Sequence, residues 1–274
     1  MKLKKLTNAA LISVIALVIF NSLVLAQTSI TCLQNAHAHN DYYHDRPLLD
    51  ALALGFKSIE VDIFLKDGQL LVGHDQSELQ PYKTLEKLYL KPLLDYVNAN
   101  NGYVYEDQEL WLVIDCKNNG TRTYSVLKPL LKKYESIITT YSGDKIIQRA
   151  VRIIMSGKRP WDIIVQDKSR CVCLGGNIKR LESDVSASVM PLISERWHQY
   201  FTWDGNGQMP SDEYSLLVNI VSRTHEKGRK VRFWQTPDRS GSQRLAVWQM
   251  LRKAGVDLIN TDDLDGLADF LKTQ

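Results

Sequence analysis

Short apolar runs recur along the chain, with stretches of helical periodicity between them. Eight runs read as strands, at residues 30–35, 58–65, 110–115, 151–155, 171–174, 189–193, 230–234 and 256–260. Residues 85–97, 124–138, 213–227 and 243–254 place apolar side chains at three- and four-residue spacing, the mark of an amphipathic helix. Such alternation predicts parallel strands joined by helical crossovers. Eight strands in 274 residues suit a single α/β domain of the (β/α)8 TIM-barrel kind, which commonly takes about 250 residues. The pattern is weakest over 159–188, where "IIVQD" and "CVCLGG" compete as the strand and the next helix is poorly marked. No linker, repeat or low-complexity tract marks a second domain.

The start of the chain changes this picture. Residues 1–26 carry Lys2, Lys4 and Lys5, then an apolar run, then small Ala26. They read as a secretory signal peptide cut after Ala26, with an uncleaved membrane anchor as the alternative. Either way residues 27–274 form an exported barrel, periplasmic or extracellular. The formal charge of +3 comes from those three lysines, and the remainder is neutral. A neutral body lacks the basic field that nucleic acid requires, so no nucleic-acid partner is expected, and no protein partner is evident. Cys32, Cys116, Cys171 and Cys173 lie in or beside apolar runs and read as buried free thiols rather than disulfides or zinc ligands.

Barrel enzymes carry their chemistry at the C-terminal ends of the strands, and here those ends are polar. The first run leads into "NAHAHNDYYHD", the second is "SIEVDIF" followed by a "KDG" turn and "LLVGHD", and the third ends "VIDCKN". Glu60 and Asp62, two apart in a strand, share one face, where two carboxylates are costly without a cation. Oxygen ligands favour one divalent cation, Ca2+ or Mg2+, with Asp115 as third ligand. Lys117 beside Asp115 adds a positive charge suited to a phosphate. His39 and His74, on separate elements flanking the acids, supply general base and general acid near neutral pH. His37, His44 and Asp75 read as supporting residues.

These motifs, "HAHNDY", then "SIEVDIFLKDGQLLVGHD", then "IDCK", resemble the superfamily of phosphatidylinositol-specific phospholipase C and glycerophosphodiester phosphodiesterases. The tail "VMPLISERWHQYFTWDGNG", "RKVRFWQTPD" and "AGVDLINTDDLDGLADFL" is similar to the branch that includes altered inheritance of mitochondria protein 6. The resemblance implies a TIM-barrel phosphoric diester hydrolase acting on a small-molecule or lipid phosphodiester, such as a glycerophosphodiester or phospholipid head group. It places the first catalytic His on His39 or His37, the metal-binding Glu-x-Asp on Glu60 and Asp62, and the second His on His74. Asp115 stands where glycerophosphodiesterases usually have Glu, and "DCK" is more similar to the sphingomyelinase D branch. Trp203 and Trp234 are candidates for the pocket wall.

Two rival classes share parts of the pattern. A hydrolase of the amidohydrolase or polymerase-and-histidinol-phosphatase type also opens with His-x-His, as in His37 and His39. It needs further histidines on later strands, and it leaves Glu60 and Asp62 unexplained. A barrel that binds a ligand without catalysis is the other. The triplet Asn119-Gly120-Thr121 matches a glycan acceptor, but its place just after Lys117 predicts an unmodified side chain.

Overall fold

The computed structural model describes residues 30–106 and 108–273, so the expected signal peptide or anchor lies outside the described residues. Eight strands form the frame: β1 (Leu33–Ala38), β2 (Phe56–Lys66), β3 (Leu110–Cys116), β4 (Val151–Gly157), β5 (Cys173–Gly176), β6 (Leu192–Arg196), β7 (Lys230–Trp234) and β8 (Leu258–Thr261). Each is parallel to the next, and β8 pairs with β1, which closes the barrel. All eight expected runs overlap these strands.

The helices are α1 (Leu49–Leu54), α2 (Lys91–Ala99), α3 (Gly120–Lys132), α4 (Trp161–Gln166), α5 (Ser211–Glu226), α6 (Ser242–Ala254) and α7 (Leu264–Lys272). Among the described residues none is long and apolar enough to cross a membrane. Two sequence expectations are corrected. The stretch 85–97 opens with one π-helical segment, Glu86–Leu90, before α2 begins. In the ambiguous region "IIVQD" falls in α4 and its C-terminal cap, while "CVCLGG" holds β5. Between β5 and β6 the described chain makes only the 3-10 turn Ile178–Arg180.

Alternation along each strand divides the residues between two environments. On β2, Ile59, Val61 and Ile63 join the main core with the helices, whereas Ser58, Glu60 and Asp62 face the opposite way. A smaller apolar cluster of Trp111, Val113, Ile154, Cys173, Leu192 and Leu258 is built from β3, β4, β5, β6 and β8, with Tyr141 beside it. The cysteines are free, with Cys116, Cys171 and Cys173 buried and Cys32 half-buried, a small departure from expectation.

One antiparallel strand, Gln69–Val72, folds back on β2 with Leu65 opposite Leu70 and Ile63 opposite Val72. The turn is Asp67-Gly68, both at positive φ (50° and 76°), the pairing a tight hairpin demands. This hairpin returns the chain to the barrel mouth and delivers His74 there.

Candidate active site

Two groups of buried and half-buried charges stand on the inner face of the barrel. The first lies across β1, β2 and β7. His37, paired in register with Ser58, is fully buried, with Nδ1 2.8 Å from Ser58 Oγ and Nε2 3.0 Å from Glu60 Oε2. Arg232 on β7 donates to the same Glu60 oxygen and also touches His37. Burial, followed by the Arg232 charge, pushes the His37 imidazole down to about 3, so it is neutral. Burial works against ionisation of Glu60, but Arg232 and the His37 hydrogen bond hold its carboxyl well below the usual carboxylate range. Neutral His37 therefore donates from Nε2 to Glu60 and accepts from Ser58.

The second group lies across β2, β3 and β4. Asp62 pairs in register with Asp115, and Asp115 with Ser156, so three side chains stand at one level. Lys117 bridges the two acids, its Nζ 2.8 Å from Asp62 Oδ2 and 3.0 Å from Asp115 Oδ2. Burial opposes its charge, yet Asp115 and Asp62 raise the ammonium above its ordinary value. Ser156 donates to Asp115 Oδ1 at 2.7 Å, and Tyr42 donates to Asp62 Oδ2 at 2.7 Å. Burial, with Glu60 next, raises the Asp62 carboxyl.

The two histidines complete the arrangement. His74 Nδ1 lies 2.9 Å from Asp62 Oδ2, and the His74 backbone N–H donates to Glu78 at 2.8 Å. His39 follows β1, its Nδ1 2.8 Å from Asp262 Oδ1 and 3.0 Å from Asn40 Nδ2. Only one hydrogen can occupy that nitrogen. When it is donated to Asp262, Nε2 is left free to accept a proton. Burial lowers the proton affinity of His39, but the Asp262 hydrogen bond and the Glu60 charge prevail and raise it above the usual histidine value. Asp262 is held in turn by Asp238, which accepts from its backbone N–H at 2.7 Å. The next residue, Asp263, caps α7 by accepting from Gly266 N–H at 2.9 Å.

A cavity of about 360 Å3 opens at this end of the barrel, lined by His39, Glu60, His74, Asp115, Lys117 and Trp234 among others. Of the predicted residues those six line it, whereas Asp62 and His37 are buried and do not. His37 is sealed away from the cavity and cannot touch substrate, which leaves His39 as the histidine at the end of β1 that faces it. The sealed position also denies the His37–His39 pair the shared metal centre of the amidohydrolase type. Trp203 is buried, its indole N–H donating to Asn206 O at 3.1 Å, and is a packing residue.

The expected three-acid metal centre is not drawn together: among the described residues, no group of three or more His, Cys, Asp or Glu side chains is placed to hold a metal ion. Both Asp115 oxygens are engaged, by Ser156 and Lys117. Two features nevertheless fit a hard cation at Glu60 and Asp62. Asp62 Oδ1 is buried with no hydrogen-bond partner, and burial followed by the Glu60 charge two positions away raises the cost of ionising Asp62.

Gly157 closes β4 against this site with φ 65°. A Cβ there would lie 2.5 Å from Cys116 O and 2.9 Å from both Asp115 carboxylate oxygens. Gly157→Ala is expected to cost about 1–3 kcal/mol of stability through backbone strain, read as a lowered denaturation midpoint.

Comparison with known proteins then places the chain. A family model described as the AIM6-like phosphodiesterase domain matches residues 27–173, and one for the glycerophosphoryl diester phosphodiesterase family matches 230–265. The chain belongs to the AIM6-like phosphodiesterase domain family. Altered inheritance of mitochondria protein 6 from Eremothecium gossypii is 32% identical over 270 residues, covering 87% of this chain and 69% of that protein. A homolog from Arthroderma benhamiae is 28% identical over 255 residues, covering 84% and 81% respectively. The solved glycerophosphoryl diester phosphodiesterase of Parabacteroides distasonis shares the fold, with a TM-score of 0.52, 12% identity, and coverage of 90% of this chain and 88% of that one.

The resemblance of "HAHNDY", "SIEVDIFLKDGQLLVGHD" and "IDCK" is thus borne out at the level of family. Within this family member, sequence reasoning missed Asp262, Arg232, Ser156 and Tyr42. Arg232 carried a signal: a charge alternating with apolar residues in "KVRFW" is the same anomaly that singled out Glu60 and Asp62. Asp262 carried a weaker one, the doubled acid directly after the last strand.

Proposed function

We propose that the protein hydrolyses a phosphoric diester, a glycerophosphodiester or the head-group linkage of a phospholipid, by acid-base catalysis between two histidines. The observation that carries this reading is one cavity lined by two imidazoles, each tied through Nδ1 to a carboxylate: His39 to Asp262 and His74 to Asp62. A carboxylate at Nδ1 fixes the tautomer and leaves Nε2 for proton transfer.

His39 takes the proton of the attacking hydroxyl, from water or from a neighbouring hydroxyl of the substrate. Protonated His74 delivers a proton to the leaving oxygen. Lys117, already charged and held by two acids, faces the phosphoryl oxygens. Charge placed in advance costs no reorganisation when negative charge builds there. Arg159, whose Nη1 donates to Gly157 O at 2.8 Å, adds a second cation to the same cavity.

A divalent cation, Ca2+ or Mg2+, belongs to this reading, with Glu60 and Asp62 as the residues that would hold it and Asp115 beside them. When bound it supplies positive charge to the phosphoryl group. The purified protein is therefore expected to cleave at least one diester in a panel of glycerophosphodiesters, phosphoinositides and sphingophospholipids. Chelator should reduce the rate by tenfold or more, and Ca2+ or Mg2+ should restore it. No cleavage across the panel with either metal present refutes the diesterase reading, and a rate indifferent to chelator refutes the cation.

A further inference from the structure

We propose that the cavity rim above β4 and β5 binds a second anionic group of the substrate, so that the head group is a polyol carrying a phosphate besides the one in the scissile diester. This rests on the diesterase reading only for the position of the first phosphate.

The rim is built around one indole. Trp161, the first residue of α4, has the Arg159 guanidinium carbon 5.7 Å from its ring centroid and that of Arg180 3.8 Å from it. Arg159 lines the catalytic cavity, while Arg180 ends the turn Ile178–Arg180 that follows β5. Among the described residues neither arginine has a carboxylate within ion-pair distance. Other exposed arginines do find one: Arg46 pairs with Asp50 at 2.6 Å and Arg223 with Glu182 at 2.6 Å. Burial comes first in working against the charge of Arg159, the Asp115 carboxylate supports it, and the Arg180 charge opposes it.

Two like charges gathered on one aromatic ring, neither of them ion-paired, repel each other until an anion joins them. Stacking on the indole fixes the guanidinium planes, and a guanidinium fork matches the oxygens of a phosphate. The Nε of Arg159 is buried without a hydrogen-bond acceptor. Asn177, one residue before the turn, lines the same cavity and leaves its Oδ1 buried without a donor. An unpaired acceptor wants a hydroxyl. A trimethylammonium head group offers neither an anion for the arginines nor a hydrogen for Asn177.

Calorimetric titration of the full chain with inositol 1-phosphate and inositol 1,4-bisphosphate tests this without needing turnover. The bisphosphate is expected to bind at least about tenfold more tightly, the scale of one charge-assisted contact. Arg180→Gln, at an exposed position, should bring the two ligands within about twofold while leaving the monophosphate unchanged, and His39→Ala should keep the preference. Equal affinities in the wild type, or a preference undiminished in folded Arg180→Gln, overturn the proposal. Turnover across the panel of glycerophosphodiesters, phosphoinositides and sphingophospholipids is read alongside. A binding preference without turnover removes the diesterase reading and leaves this subsite standing, and turnover without a preference does the reverse.

Discussion

His39→Ala and His74→Ala are each expected to lower turnover by about 10²–10⁴-fold, the usual contribution of a positioned general acid or base, with little change in unfolding midpoint. His39 is half-buried and His74 half exposed at the cavity mouth, so neither supports the core. The pH profile separates their roles. Because the Asp262 bond and Glu60 outweigh burial and raise His39 above its ordinary value, the base is lost to protonation already above pH 6.5, and the rate falls on that acid limb. Asp262→Asn removes the hydrogen-bonded charge, so the acid limb should move to lower pH while the maximal rate drops, since Nδ1–H is no longer favoured. Two correctly folded alanine variants with wild-type rates on a diester that the parent cleaves would falsify the two-histidine mechanism.

Arg232→Ala is expected to be the most damaging single change to stability. Arg232 and Glu60 are both buried, and removing one partner of such a pair typically costs about 3–5 kcal/mol, because the other charge is left uncompensated. Denaturant titration should read that loss directly, and Arg232→Met should recover packing without recovering charge. The same group sets an acid limit. Neutral His37 has its proton affinity depressed to about 3 in the folded state, against about 6.5 in an unfolded chain. Between those values the unfolded chain binds the extra proton, so stability rises with pH through this window and is lost as pH falls. Glu60 acts in the same direction at lower pH, since its folded carboxyl lies well below its unfolded value. A denaturation midpoint that stays flat from pH 7 to pH 4 would contradict the buried assignment.

The fold was legible because β2, β3 and β4 are apolar enough to stand out and the helical stretches between runs keep a clear period. Legibility failed over 159–188 for a physical reason. The β5-to-β6 connection has no α-helix among the described residues, so there was no amphipathic pattern to find, and "IIVQD" is apolar as one turn of a short helix rather than as a strand. The acids Glu60, Asp62 and Asp115 were visible as charges inside apolar strands, and His74 as the residue a hairpin must return. What remained hidden was pairing. Nothing local in "HAH" says that His37 faces Ser58 and a charged pair from across the barrel while His39 clears the strand end. That distinction depends on β7, about two hundred residues away in sequence. Equally hidden was that Lys117 and Ser156 bond to the oxygens of Asp115.

The barrel mouth is divided. His39, His74, Asp62, Lys117 and Asp262 come from β1, β2, β3 and β8 or the segments just after them, one contiguous semicircle of the closed sheet. The facing arc carries Arg159, Asn177 and Trp234 after or at the ends of β4, β5 and β7. Under the proposed function, proton transfer and recognition of the head group would therefore fall on separable halves of one frame. Exchanging the three connections of the second half between relatives should redirect selectivity while the proton-transfer machinery is inherited unchanged.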